Sequence, residues 1–243
     1  MKLVITAEVR VDDIVAHASP TDTLRLDLTK DLGGTPSVST IDKAVLVDTA
    51  DNERDSVSIS PTDWLGTSFT GGYQYICNKE IRITGNYNVT KVRLYAGTKL
   101  YFEYVLTESY QVKSGMLLLV KILIKCMFTA SHSGSVSGTI TKLEDLANTI
   151  LKRILLGEDI GATWENVFGM YNYVNQFNVT VTITVDETNY KVIVTASFTP
   201  DQDWIINGYA YHSSVFGYTP HVDIPNTVLT SNVTHSWRLE VQI

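Results

Sequence analysis

Cysteine is scarce in this sequence: two thiols, Cys77 and Cys126, in 243 residues cannot form the framework of bridges that staples small secreted domains. Their spacing leaves open whether they are joined to each other or stand as separate buried thiols. Long apolar runs are missing too. The most apolar stretch, from Met116 to Phe128, is interrupted by Lys121 and Lys125 and falls short of the ~18–20 residues a spanning helix needs. It reads as a buried strand, and no membrane span is expected. The opening segment Lys2 to Glu8 alternates as a strand does, without the apolar run and small-residue cleavage site of a secretion signal. Basic residues are outnumbered, 19 Lys and Arg against 26 Asp and Glu, for a formal net charge of −7. The cations are scattered instead of forming the stripe that phosphate neutralisation requires, so no nucleic-acid partner is expected.

What the chain has in quantity is sheet-forming residues. Hydrophobic residues make up 44% of it, and 13 tyrosines with abundant Thr, Val and Ile suit pleated, half-buried surfaces. The length fits one large β domain or two ordinary ones. Self-comparison favours two, because an offset of 117 residues lays Val112–Cys126 over Leu229–Ile243 without a gap. In that alignment Leu118, Val120, Ile122, Ile124 and Cys126 form the inward set of one strand, and His235, Trp237, Leu239, Val241 and Ile243 that of the other. Gly115 and Asn232 coincide at the preceding turn, and both residue types tolerate positive φ. The same offset places Tyr73–Ile76 on Tyr190–Ile193 and Tyr87 on Trp204, and an offset of 123 places Thr40–Val47 on Thr163–Met170. Leu3, Ile5, Ala7, Val9 and Val11 also match the strand from Val120 to Phe128, so one long strand could serve both copies.

One clear helix is predicted. Thr141-Lys-Leu-Glu144 has the form of a capping box, the apolar positions from Leu143 to Leu155 follow at helical spacing, and Gly157 is placed to end it. The equivalent segment of the first copy, Thr21 to Leu32, is shorter and less regular. Ser131 to Gly138 reads as a linker or exposed loop, and Asp48 to Thr70 as surface loop. The expected fold is therefore all-β: two tandem, jelly-roll-like β-sandwich domains from internal duplication, residues 1–128 and 129–243, with one helix in the second.

Convergent chemistry is thin, and neither a catalytic set nor a cofactor or metal site is expected. His221-Val-Asp223 puts an imidazole and a carboxylate on one face of an extended segment near His212, short of the ligand set a metal site demands. His235 reads as a satisfied core histidine, and Ser131-His132-Ser133 has no orienting carboxylate. Gly33-Gly34 and Gly71-Gly72 lack the lysine and the strand-loop-helix setting of a phosphate loop and read as turns. Asp12-Asp13 and Glu158-Asp159 lack an apolar pocket that would raise a carboxyl pKa. Three sequons, at Asn88, Asn178 and Asn232, are candidate glycosylation positions. The aromatic residues Tyr209, Tyr211, Phe216 and Tyr218 are the candidate binding loop, suited to stacking on a sugar or anchoring a protein partner.

The run Lys91 to Tyr104 followed by Gln111 to Val120 is similar to the strand, turn and strand of viral jelly rolls and tail-fibre modules. Leu146 to Gly157 followed by Val192 to Phe198 resembles phage tail attachment domains, in which a helix precedes a sheet. Two such units in one chain resemble the penton and turret proteins of tailless icosahedral archaeal viruses. The resemblance implies a virion structural protein of a bacterial or archaeal virus and not an enzyme. Its implied partners are further copies of itself, other virion proteins and a host-surface glycan or receptor. A carbohydrate-binding or adhesive β-sandwich module is the alternative reading.

Overall fold

The computed structural model describes residues 2–129, 133–134, 139–141, 143–158, 167–171, 176–213 and 217–243; within these, the side chains of 133–134, 139–141, 167–171, 176–181, 209–213 and 217–225 lie outside the description. The elements in chain order begin with β1 (Lys2–Val11), β2 (Ile14–Ala18), α1 (Asp22–Leu32), β3 (Lys43–Asp48), β4 (Glu53–Ser58), β5 (Leu65–Phe69), β6 (Gly72–Arg82), β7 (Tyr87–Ala96), β8 (Lys99–Val112) and β9 (Leu117–Thr129). They continue with β10 (Ser133–Gly134), β11 (Thr139–Thr141), α2 (Leu143–Leu156), β12 (Val167–Tyr171), β13 (Gln176–Asp186), β14 (Lys191–Phe198), β15 (Trp204–Ser213), β16 (Gly217–Leu229) and β17 (His235–Gln242).

The molecule is mostly β. A 13-stranded sheet runs β11-β16-β15-β12-β13-β14-β17-β1-β9-β6-β5, with β2 added beside β1 and β10 beside β17, and a second sheet runs β4-β3-β7-β8. The anticipated alternation is realised in β9, whose residues Leu118, Val120, Ile122, Ile124, Cys126 and Phe128 are all buried. β1 lies antiparallel to it with Leu3 opposite Phe128 and Val11 opposite Val120, which puts Leu3, Ile5, Ala7, Val9 and Val11 on the same inner face. The four-stranded sheet and α2 cover that face, and α2 packs across β6 and β9. A single buried cluster runs from Leu3 to Ile243 and includes Leu146, Ile150 and Ile154 of α2.

Strand pairing repeats along the chain. In β6 and β9 Cys77 stands opposite Ile122, and in β14 and β17 Val194 stands opposite Leu239, 117 residues further on in both strands. Tyr87 opposite Val112 recurs as Trp204 opposite Leu229. Ala44 opposite Val57 recurs as Val167 opposite Thr180, 123 residues further on. One difference sets the sheet count. In the N-terminal half the chain breaks between β4 and β5 at a 3-10 turn, Pro61–Asp63, whereas β13 runs unbroken and pairs with both β12 and β14.

The helices reach across the halves. Arg25 of α1 lies 4.2 Å over the ring of Tyr190, and Gly33 at the helix end sits so close to Val185 that a side-chain carbon there would collide with it. In return α2 accepts the Gly71 amide on Glu144 Oε1 at 2.9 Å and the Tyr75 hydroxyl on Asn148 Oδ1 at 3.0 Å. Between the helices Arg153 Nε donates to Asp31 Oδ2 at 2.7 Å, and Asp31 Oδ1 accepts from the backbone N–H groups of Ser37 and Val38. The Asp31 carboxylate is 2% exposed, so the dry surroundings that make it costly to bury also make its cation effective.

Several expectations are corrected. Two helices stand where one was expected: α1 falls on the segment from Thr21 to Leu32, is shorter than α2 at 11 residues against 14, and is capped by Thr21 Oγ1, which accepts from Leu24 N–H. The segment from Asp48 to Thr70 holds β4, the 3-10 turn and β5 in place of loop. It escaped notice because β4 is a sheet-edge strand whose buried inward position is Asp55, so hydrophobic alternation is absent. Thr141 ends β11 instead of opening the helix, which starts at Leu143. Of Ser131 to Gly138, Ser133–Gly134 form β10 against β17, and the rest lies outside the described residues. The positive φ anticipated at Gly115 and Asn232 is present, 90° and 57°.

Replacing Arg153 by Met should lower unfolding free energy by about 3 kcal/mol, because it leaves a buried carboxylate facing an apolar neighbour. The double variant Asp31→Asn, Arg153→Met should recover part of the loss. Urea denaturation followed by tryptophan fluorescence measures both, and an Arg153→Met midpoint equal to the wild type would show that the pair does not hold the helices.

Candidate assembly surface

β9 carries apolar residues on both faces and is covered on one. Its outward residues Leu117, Leu119 and Met127 are 60%, 41% and 36% exposed, and Leu123 is half-buried. The register extends this apolar character across the sheet. Leu65 of β5 pairs with Ile76 of β6, and Ile76 pairs with Leu123 of β9, which makes an open three-strand row in which Leu65 and Ile76 are 71% and 37% exposed. A second row joins Met127 to Val4 of β1. An apolar, solvent-facing patch of this extent on a sheet that is otherwise well packed is the usual mark of a contact surface.

Charged residues separate the apolar rows. Lys125 lies opposite Gln74 and Thr6, and Lys121 opposite Asn78 and Arg10. Glu8 lies opposite Leu123 and accepts from Arg10 Nε at 2.9 Å, and Glu80 lies opposite Leu119. With Arg82 opposite Leu117 and Lys2 opposite Thr129, the face carries five cations and two carboxylates on a chain whose net charge is −7. Shallow depressions lie between the rows, one bordered by Glu8, Ile76, Asn78, Lys121 and Leu123 and another by Arg10, Asp12, Tyr110, Leu117 and Leu119. Such relief suits interdigitation with a facing sheet.

The residues singled out from sequence do not converge here. Tyr209 and Tyr211 lie in β15 and Tyr218 in β16, strand residues and not a loop, while Phe216 is outside the described residues; nothing is described of these side chains. His212 of β15 pairs with Tyr218, and His221 and Asp223 of β16 pair with Ala210 and Gly208. No group of three metal-ligating residues occurs among the described residues. His235 is half-buried beside Trp237, ring centroids 6.4 Å apart, and its Nε2 has no hydrogen-bond partner among the described residues. Of the sequon residues, Asn88 in β7 and Asn232 before β17 are exposed, and Asn178 is in β13 with its side chain undescribed. Cys77 and Cys126 are both free and buried, and burial pushes the Cys77 thiol up to about 11 and that of Cys126 higher still, so neither is a ready thiolate. No helix of the described residues is long and apolar enough to cross a membrane.

Polar clusters elsewhere spend their groups on structure. Asp48 accepts from the backbone N–H of Asn52 at 2.9 Å and of Ala50 at 2.8 Å and pairs with Arg54, which holds its carboxyl down at about 2 against the opposing effect of burial. Asp55 is buried, which would raise its pKa, but hydrogen bonds from Thr84 and Tyr87 outweigh this and lower it. Arg93 ties β7 to β8 and to the β3–β4 turn through Glu103 at 2.7 Å and Asp51 at 2.9 Å. The outward face of β9 was the signal that sequence reading missed: Leu117, Leu119, Leu123 and Met127 occupy the positions that should be polar if only one face were buried.

Depressed carboxylates stabilise the fold above their unfolded pKa, near 3.9, and that contribution is lost as pH falls through the folded value. Stability should therefore fall between about pH 4 and pH 2, and Asp48→Asn should flatten the fall in that window while lowering stability at neutral pH. Chemical denaturation at a series of pH values checks this, and an unchanged slope in the variant would contradict it.

No known protein family, no curated protein and no solved structure matches the chain.

Proposed function

We propose that this chain is a structural component of a virus particle, made of two duplicated jelly-roll-like sandwich units, 1–128 and 129–243, and acting by packing its sheet faces against copies of itself and other particle proteins. The observation that carries the reading is the outer face of β9, a central strand with Leu117, Leu119 and Met127 open to solvent. Apolar rows of this kind left open on a central strand, between Lys121 and Lys125, are the usual mark of a contact surface, and subunit contact is the cover available in a dense assembly.

Duplication is supported by registers that repeat in three strand pairs, with the spacing constant at 117 residues in two of them. Convergence of unrelated strands gives similar alternation but has no reason to keep the same partner opposite each residue. The reciprocal helices support a unit that works as one rigid block, since α1 and α2 each touch strands of the opposite half. Rigid β blocks with uncovered faces suit shells and spikes, where the geometry of contact is the function.

Mass spectrometry of purified particles from a culture that produces this chain is the test. The expected result is recovery of the chain in the particle fraction at a fixed ratio to the other particle proteins. A chain present in the cells and absent from the particles would overturn the assignment.

A further inference from the structure

We infer that the outer face of the β5-β6-β9-β1-β2 strands is a two-fold contact with a second copy of this chain, in which Glu8 of each copy meets Arg10 of the other. The inference rests on the assembly reading above and specifies its partner and geometry.

Area comes first. Three strands of about 11 residues flanked by two of about five, spaced about 4.8 Å apart, project roughly 650 Å². That lies within the roughly 600–1,000 Å² per partner of a standard stable interface. The face is thus large enough to be buried by another sheet and needs no further element.

Charge then chooses the symmetry. Consider a two-fold axis in the plane of the face, perpendicular to the strands and level with the gap between Leu123 and Lys121. It lays β9 over β9 of the second copy and β1 over β1, each antiparallel. Leu123 then faces Lys121, Met127 faces Leu117, and Lys125 faces Leu119, so the lysine stems lie along leucines within the contact. On β1, Glu8 is level with Leu123 and Arg10 with Lys121, so the same axis brings Glu8 of each copy over Arg10 of the other, twice. Glu80, level with Leu119, comes to the height of Lys125 of the second copy. An axis along β9 instead would stack Lys121 on Lys121 and Lys125 on Lys125, which like-charge repulsion disfavours. The remaining exposed apolar residues, Val105, Val185, Ile205, Val228 and Val233, lie on other strands and turns and do not form a row across this face.

Sedimentation velocity of the full chain tests this across about 1–100 µM, the weaker end of what interfaces of this size reach. The wild type is expected to dimerise. Glu8→Arg and Arg10→Glu are each expected to weaken dimerisation at least tenfold, and the double variant Glu8→Arg, Arg10→Glu to restore it, because the swap keeps opposite charges facing. Leu119→Lys is expected to weaken it as well, with circular dichroism unchanged because the residue is on the surface. A double variant no better than the single ones overturns the proposed axis. A wild type that stays monomeric throughout overturns the self-contact altogether. Recovery of that monomeric chain in purified particles would then leave the structural role standing with a different protein on the face, whereas its absence there would overturn both.

Discussion

A central strand that carries apolar residues on both faces constrains everything around it. β9 pairs with β1 on one side and β6 on the other, so neither edge is free, and its inner residues from Leu118 to Phe128 are sealed under α2 and the four-stranded sheet. Burying an apolar side chain of this size is worth about 1.5–3 kcal/mol, and six in a row make the strand the anchor of the core. The opposite face carries Leu117, Leu119, Leu123 and Met127 between Lys121 and Lys125, without the cover. The fold is thus complete on one side of its strongest element and open on the other.

Polar interactions fix how the rest is attached to that anchor. The Asp31–Arg153 pair sits between α1 and α2, and the helices in turn contact strands of opposite halves. Such a buried pair adds little net stability over apolar packing, but a misplaced helix would strand either charge, which is a device for uniqueness. Asp55 does the same for the four-stranded sheet at its edge by taking Thr84 and Tyr87 as donors. The edge strand β4 is thereby held by a carboxylate where a core would ordinarily use a leucine.

Much of this architecture is legible from residues alone. Period-two alternation located β9 and β17, the offset of 117 picked out strand pairs that share a register, and Gly115 and Asn232 betrayed their positive φ by residue type. What escaped is equally physical. Periodicity cannot see an edge strand whose inward residue is Asp55, and it marks α1 at Thr21 to Leu32 only as an irregular segment because its buried positions include Asp27, Thr29 and Asp31. The exchange of helices between halves depends on long-range contacts such as Arg25 with Tyr190 that no local pattern encodes. The open face was visible in the letters, in Leu117, Leu119, Leu123 and Met127. It was hidden by the assumption that a strand apolar on both sides must be buried on both.

The central claim is that protein covers the outer face of β9 in the working form, and lysine reactivity reports on it directly because Lys121 and Lys125 stand in that face. Acetylation rates of these two lysines, measured by mass spectrometry in dilute and concentrated solution, should fall with concentration while Lys43 of β3 and Lys113 between β8 and β9 keep theirs. Equal rates for Lys121 and Lys125 in dilute chain, concentrated chain and intact particles would show the face to be bare in every state and would contradict the account.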